Sequence, residues 1–218
     1  MTELRKGMPP LPLRMAGLKL DHRGYPVPYF VAWIDGKPDF RVMDGAKLYP
    51  AVKDSLCWLC GQKLGKFKTF TIGPMCAINR TISEPPSHLE CATFAVQACP
   101  FLSMPKAQRR EAGLTIDGVN LKEAAGTGLK RNPGVTLLWT TLAFKPFKDG
   151  RGGVLFRLGD PESLSWWAES RTATREEILE SINSGLPLLQ SVAAEQGPDA
   201  VEALNEYVAC GMALVPAA

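Results

Sequence analysis

Five of the six cysteines of this 218-residue chain lie between positions 57 and 99, together with one of its two histidines. The segment begins with Cys57-Trp-Leu-Cys60-Gly61 and continues, after Cys76, with His88-Leu-Glu-Cys91. Two residues between cysteines allow a tight turn to direct both sulfurs at one ion, and glycine tolerates the positive φ of such a turn. This spacing is typical of a metal-binding module, and it constrains the fold more than any other feature.

The second half of this candidate site is expected at the start of a helix. Ser87 is a favourable N-cap residue, and Glu90 three positions later completes a capping box. Residues three apart on a helix share a face, so His88 and Cys91 would project together from the first turn. The positive end of the helix dipole favours a thiolate there.

Residues 67–72 lie between the two half-sites and alternate apolar and polar side chains over the length of a strand. A knuckle, a strand pair and a helix with two ligands in its first turn resemble the treble-clef zinc module, over about residues 55–100 and by arrangement only. This resemblance implies one structural zinc ion with the ligands Cys57, Cys60, His88 and Cys91.

Other ligands and another cofactor stay open at this point. Cys76 could replace His88, and Cys76 and Cys99 could equally be small buried apolar side chains. Cys99 lies about 12 Å beyond Cys91 along a continuous helix, so these two sulfurs cannot share one zinc unless the helix breaks. An iron–sulfur cluster is the alternative cofactor, with ligands Cys57, Cys60, Cys76 and either Cys91 or Cys99.

Charge divides the chain into a basic and an acidic part. Residues 1–159 contain 23 Lys and Arg against 12 Asp and Glu, whereas residues 160–218 contain 2 against 10, and the net charge is +3. The basic part permits a polyanionic partner, although attraction between the two parts of the chain explains the asymmetry equally well.

Nucleic acid is the expected polyanion, because clustered lysines and arginines suit phosphate contacts. The residues expected to contact nucleic acid are Lys63, Lys66, Lys68, Arg80, Lys106, Arg109, Arg110, Lys130 and Arg131. Trp58, Phe67 and Phe70 are the candidates for base stacking.

The remaining sequence predicts an α+β fold, with short antiparallel strands around a zinc module and a helical C-terminal part. A proline-rich arm at residues 9–12 should be extended and poorly packed, and Asp35-Gly36 should turn a β-hairpin. Residues 135–144 are predicted to pair with 154–158 across a glycine-rich tip. Helices are predicted from Pro161 to Trp167, from Thr174 to Gly185, and around residues 188–195 and 199–214.

These elements suggest a division into five parts. They are an N-terminal arm and hairpin at 1–55, the zinc module at 56–101, a basic linker or loop at 102–134, a β-hairpin at 135–159 and an acidic helical part at 160–218.

The residue inventory disfavours an enzyme. A treble-clef nuclease needs a histidine general base near its strand hairpin, and apart from His88 the chain has only His22, far upstream. A four-ligand set also favours a closed structural site over a catalytic one. A metal or iron–sulfur enzyme centred on Cys76, Glu84 and Cys99 stays as an alternative.

The sequence therefore predicts a non-enzymatic zinc-binding protein that contacts nucleic acid or a nucleoprotein complex. The alternative is a protein-binding adaptor or inhibitor that acts through the acidic C-terminal helices, where Val201, Leu204, Val208 and Met212 form an apolar stripe. The sequence contains neither a secretory signal nor an apolar run of membrane-spanning length, so we expect a cytoplasmic protein with no membrane partner.

Overall fold

The computed structural model describes residues 3–104, 115–116, 119–120, 125–126 and 132–217. Its α+β architecture, made of short antiparallel sheets and helices, confirms the predicted fold class. A 3₁₀ turn occupies Leu13–Met15, and the helices are α1 (Gly45–Lys53), α2 (Pro74–Asn79), α3 (Leu89–Ala98), α4 (Pro100–Ser103), α5 (Arg175–Gln196) and α6 (Pro198–Met212). The strands are β1 (Val31–Ile34), β2 (Lys37–Met43), β3 (Lys68–Ile72), β4 (Thr81–Ile82), β5 (Thr115–Ile116), β6 (Val119–Asn120), β7 (Thr136–Thr141), β8 (Phe144–Lys148), β9 (Val154–Leu158), β10 (Pro161–Ala168) and β11 (Arg171–Thr172). In the part of the chain that the structure describes, none of these helices combines the length and the apolar character that crossing a membrane requires.

Strand β7 is the centre of the larger sheet, whose strand order is β11-β10-β7-β3. All six residues of β7 are buried, because its neighbours pair with both of its edges and the sheet is covered on both faces. A three-stranded sheet, β4-β9-β8, packs beside it. The main core lies between these sheets and helices α2, α5 and α6, with Phe70, Trp139, Phe156 and Ile178 among its largest buried side chains.

The hairpin predicted between residues 135–144 and 154–158 is wrong in its first strand. β8, not β7, pairs with β9, in the register Phe144 to Leu158 through Lys148 to Val154. The chain turns between β7 and β8, where the Thr141 hydroxyl lies 2.8 Å from the Asp160 carbonyl oxygen and accepts a hydrogen bond from the Ala143 N–H at 3.3 Å. The sequence pattern of residues 135–144 indicates one strand, but tertiary contacts divide it between β7 and β8.

The helix predicted from Pro161 to Trp167 is also wrong, because this segment forms strand β10. Its backbone forms hydrogen bonds with β7. This pairing outweighs the local Asp-Pro signal for a helix start. Alternation along the strand places Trp166 and Trp167 on opposite faces. Trp166 is buried in the main core, and Trp167 packs with Leu138 in a smaller cluster.

Helix α5 begins where the sequence predicts but continues much further. The predicted capping box is present, since the Glu177 N–H donates to Thr174 Oγ1 at 3.3 Å and the Thr174 N–H donates to Glu177 Oε2 at 2.8 Å. Gly185 does not end the helix, and the separately predicted helix at 188–195 belongs to α5. Gly185 is buried within the helix.

Helix α6 turns only part of its predicted apolar stripe towards the core. Leu204 is buried and Val208 packs against the main core, whereas Val201 and Met212 are each 37% exposed. Gly211 is buried against α2, where an added Cβ would lie 2.9 Å from Ile78 Cγ1. A partner surface on these helices stays a prediction.

The capping box predicts a pH-dependent contribution to stability. Arg171 and the Thr174 N–H lower the pKa of Glu177 from 4.5 to about 2, so its carboxylate stabilises the fold fully above pH 4.5 and loses this effect as pH falls through about 2. We expect Thr174→Ala to reduce the free energy of unfolding by about 1 kcal/mol. Glu177→Gln should destabilise the protein near pH 7 and much less near pH 2, as urea denaturation would measure. Glu180→Gln is the matched control on the same helix, and equal behaviour of the two variants would contradict the assignment.

Candidate metal centre

The first half-site is a tight hairpin between Ser55 and Leu64. The Cys57 N–H donates to the Gln62 carbonyl at 2.7 Å, and the Gly61 N–H donates to the Cys57 carbonyl at 2.8 Å. Gly61 has a φ of +74°, and an added Cβ would lie 2.8 Å from Cδ2 of Tyr29. Glycine is therefore required both by the turn and by the aromatic ring packed on it.

The second half-site begins one residue later than predicted. His88 is the N-cap residue of α3, and Cys91 lies in its first turn. Ser87 does not cap the helix, because its N–H and carbonyl pair with those of Thr69 at 2.8 and 2.9 Å. Glu90 instead forms an ion pair with Arg14 at 2.7 Å. The predicted capping box is wrong, but His88 and Cys91 still project together.

The two half-sites meet. The three sulfurs of Cys57, Cys60 and Cys91 and a ring nitrogen of His88 all lie within 4.8 Å of one another. Nδ1 of His88 is 3.4 Å from Sγ of Cys60 and 3.9 Å from Sγ of Cys91. Tetrahedral zinc with bonds of about 2.3 Å to sulfur and about 2.05 Å to nitrogen would separate these atoms by about 3.6 Å. The group of four can hold a metal ion.

Hydrogen bonds orient the ligand atoms of this group. Nε2 of His88 lies 3.1 Å from the Lys63 carbonyl oxygen, so the ring proton belongs on Nε2 and the lone pair of Nδ1 faces the sulfurs. Sγ of Cys57 accepts hydrogen bonds from the N–H groups of Cys60 and His88, each at 3.4 Å. These donors stabilise a thiolate.

Electrostatics at the group favour a bound cation. The thiol groups of Cys60 and Cys91, with backbone N–H groups, donate to Cys57 and hold its pKa far below the usual range. The same contacts with Cys57 raise the pKa of Cys60 and of Cys91. A divalent cation would stabilise the thiolate form of all three sulfurs.

A second apolar cluster, here named the cysteine core, surrounds the group. It contains Met15, Leu59, Leu64 and Phe94 together with the fully buried Cys57 and Cys91. Met8, Leu11 and Leu18 pack against it from the N-terminal arm, so the prediction that this arm is poorly packed is wrong. The arm packs on the cysteine core because this contact removes the apolar side chains of both from water.

The two cysteines considered as alternative ligands are not part of the group within the described residues. Cys76 lies in α2. Burial, and to a smaller extent the charge of nearby Glu84, raises the pKa of its thiol to about 11. Burial also raises the pKa of Cys99, at the end of α3. Both residues therefore resemble neutral, partly buried thiols more than ligands.

The predicted nucleic-acid contacts differ in how exposed they are. Lys63 and Lys66 are exposed, and Lys68 donates to the Lys66 carbonyl at 2.9 Å. Arg80 forms an ion pair with Asp160 at 2.9 Å, and its guanidinium lies 5.5 Å from the Trp139 ring centroid. Five others, Lys106, Arg109, Arg110, Lys130 and Arg131, lie outside the described residues.

Only one of the three candidate stacking residues is accessible. Phe67 is 50% exposed, whereas Trp58 and Phe70 are almost completely buried. Trp58 stacks on Phe30 with ring centroids 5.4 Å apart, and Phe70 belongs to the main core. The prediction that Trp58 and Phe70 stack on bases is therefore wrong, because both rings are occupied by packing.

Sequence reasoning missed two features of the structure, one at the centre and one in the N-terminal region. The contribution of Lys63 at the group is its carbonyl oxygen, and a backbone atom leaves no signal in the sequence. The contacts between aromatic rings and basic side chains in the first 43 residues were also missed. A signal for them exists, because several of these aromatic residues lie near an arginine or lysine in the sequence, as in Arg23-Gly-Tyr25.

Comparison of the chain with protein-family models, with characterised proteins and with solved structures found no match. The geometry of the group of four is therefore the basis of the functional assignment.

Proposed function

We propose that this protein binds one structural zinc ion through Cys57, Cys60, His88 and Cys91 and contacts nucleic acid through its basic surface. The observation that carries the metal assignment is the convergence of these four ligand atoms within 4.8 Å of one another. Three sulfurs and one imidazole are a typical structural zinc set, and four protein ligands leave no open position for catalysis. The resemblance to a treble-clef module is only partial, because β3 pairs with β7, which lies outside residues 55–100, and not with a second strand between the half-sites.

The metal would act by joining segments that have little structure of their own. The hairpin at 55–64 is short, and α3 begins without a side-chain cap. An ion held by both would fix the hairpin on the first turn of α3 and close the cysteine core over the N-terminal arm. Binding free energy of this kind contributes directly to folding.

A groove beside the metal centre supports the nucleic-acid proposal. It encloses about 630 Å³ and runs between the proline-rich arm and α3, with Pro10, Phe67, Leu89 and Lys66 among its lining residues. Phe67 is half exposed, and Lys66 Nζ lies 5.6 Å from its ring centroid. An accessible ring with a cation beside it suits a nucleobase and its phosphate.

Metal analysis and a salt titration test the two parts of the proposal separately. Freshly purified protein should contain about one zinc per chain and show no visible absorbance, whereas a brown protein that contains iron would contradict the metal assignment. The protein should also bind heparin and labelled nucleic acid with an affinity that falls steeply with salt. Metal-loaded protein that binds neither polyanion at low salt would contradict the nucleic-acid part alone.

A further inference from the structure

A group of stacked arginine and aromatic side chains lies in the N-terminal region, outside the metal centre. The guanidinium carbons of Arg5 and Arg23 lie 5.4 and 5.2 Å from the ring centroid of Tyr25. Arg23 also lies 5.6 Å from the ring centroid of Phe40. Two positive charges therefore contact one tyrosine ring, and we name these four residues the arginine–aromatic stack.

The backbone places the two arginines of the stack. The buried carboxylate of Asp21 accepts hydrogen bonds from the N–H groups of Arg23 and Tyr25, each at 2.9 Å, and from Arg23 Nε at 2.8 Å. The Arg5 N–H donates to the Gly24 carbonyl at 3.1 Å. Gly24 has a φ of +83°, and an added Cβ would lie 2.6 Å from the Glu3 carbonyl oxygen and 2.7 Å from the Arg5 nitrogen. This arrangement depends on glycine at position 24.

The charges of the stack are only partly compensated. Asp21 pairs with Nε of Arg23, which leaves the terminal nitrogens of that guanidinium for another acceptor. Within the part of the chain that the structure describes, Arg5 forms no ion pair. Arg23 keeps 51% of its side chain exposed, and Arg5 is exposed. An anion with several oxygens could bind both guanidinium groups.

An exposed tryptophan continues this surface. Trp33 is 43% exposed, and Nζ of Lys19 lies 5.3 Å from its ring centroid. Trp33 pairs with Pro38 across the β1–β2 hairpin, and the register shifts beyond Asp39, so it is the preceding loop rather than strand alternation that links Trp33 to Phe40. The loop from Lys19 to Val27 contacts this face twice, through Lys19 on Trp33 and Arg23 on Phe40.

We infer that this face, formed by the arginine–aromatic stack with Lys19 and Trp33, binds single-stranded nucleic acid. The inference rests on the proposed function and names its substrate class. The Trp33 ring offers a surface on which an unpaired base can stack, and the Arg5 and Arg23 guanidinium groups offer phosphate contacts. A duplex keeps its bases stacked inside the helix, so it could make only the phosphate contacts with Arg5 and Arg23.

Fluorescence anisotropy with labelled dT20, using the full-length zinc-loaded protein, tests this inference. We expect Trp33→Ala to weaken binding roughly tenfold, and Trp33→Phe to recover most of that loss because it keeps an aromatic ring. Arg5→Ala should reduce the slope of log affinity against log salt by about 0.7 for each phosphate that the arginine neutralises. Gly24→Ala should have a similar effect, since it displaces the Arg5 backbone.

The matched control is Tyr49→Ala on α1. Tyr49 is 71% exposed, and Nζ of Lys53 lies 5.8 Å from its ring centroid, so it reproduces the Trp33–Lys19 pair on a helix that contributes no residue to the proposed face. This control should bind dT20 as the unmodified protein does. Zinc content and circular dichroism would show that each variant is folded.

The possible outcomes separate this inference from the proposed function. If Trp33→Ala and Arg5→Ala bind normally while Lys66→Ala or Phe67→Ala weakens binding, the face is wrong and the groove at the metal centre is the contact. Equal or tighter binding of a 20-base-pair duplex would overturn the single-strand assignment. If the unmodified protein binds neither form, the inference and the nucleic-acid part of the proposed function both fail.

Discussion

Replacing Cys91 by serine is expected to abolish stoichiometric zinc binding and to lower the melting temperature by about 10 °C or more. Cys91 is fully buried and its sulfur belongs to both the group of four and the cysteine core. Its loss removes one ligand and leaves a polar hydroxyl among apolar side chains. The hairpin at 55–64 and the N-terminal arm should then become sensitive to protease.

Metal analysis and differential scanning calorimetry would measure both effects. Cys210→Ser, which changes an exposed cysteine on α6, should retain one zinc and an unchanged melting temperature. Cys99→Ser should also retain the metal, because Cys99 is outside the group of four. A chelator added to the unmodified protein should reproduce the Cys91→Ser result. Full zinc content in Cys91→Ser would show that Cys91 is not a ligand.

Replacing Trp139 by alanine is expected to reduce the free energy of unfolding by about 4 kcal/mol. Trp139 is completely buried at the centre of β7, between Phe70 on β3 and Leu164 on β10. Its Nε1–H donates to the Gly159 carbonyl at 3.0 Å. Alanine would therefore leave a large cavity in the main core and remove the hydrogen bond at the β9–β10 connection.

Urea denaturation of two further variants separates these contributions. Trp139→Phe keeps most of the apolar volume and loses the N–H donor, so it should destabilise by roughly 1–2 kcal/mol. Trp33→Ala is the matched control, because it removes the same side chain from a position that is 43% exposed, and it should change stability by less than about 1 kcal/mol. Equal destabilisation by Trp139→Ala and Trp33→Ala would contradict the placement of Trp139.

Predictions from sequence succeeded for two local signals, although the equally local Ser87–Glu90 capping box did not form. The Asp35-Gly36 pair turns the β1–β2 hairpin, with φ values of 48° and 74°, because these residues tolerate positive φ. The Thr174–Glu177 capping box needs only four consecutive residues, and it is present. The prediction failed at Pro161–Ala168, where local helix-start residues lie in a strand that pairs with β7, 20 or more residues away in the sequence.

The sequence by itself determined which four residues form the two half-sites, whereas the pairing of Ser87 with Thr69 decided that the helix begins after His88. The tertiary structure decided the remaining features of the centre, including the Lys63 carbonyl that orients His88 and the N-terminal arm that covers the cysteines. It also decided that Trp58 is buried while Trp33 is exposed. Burial depends on the packing of many distant residues, so two tryptophans that each follow a small residue in the sequence can end in opposite environments.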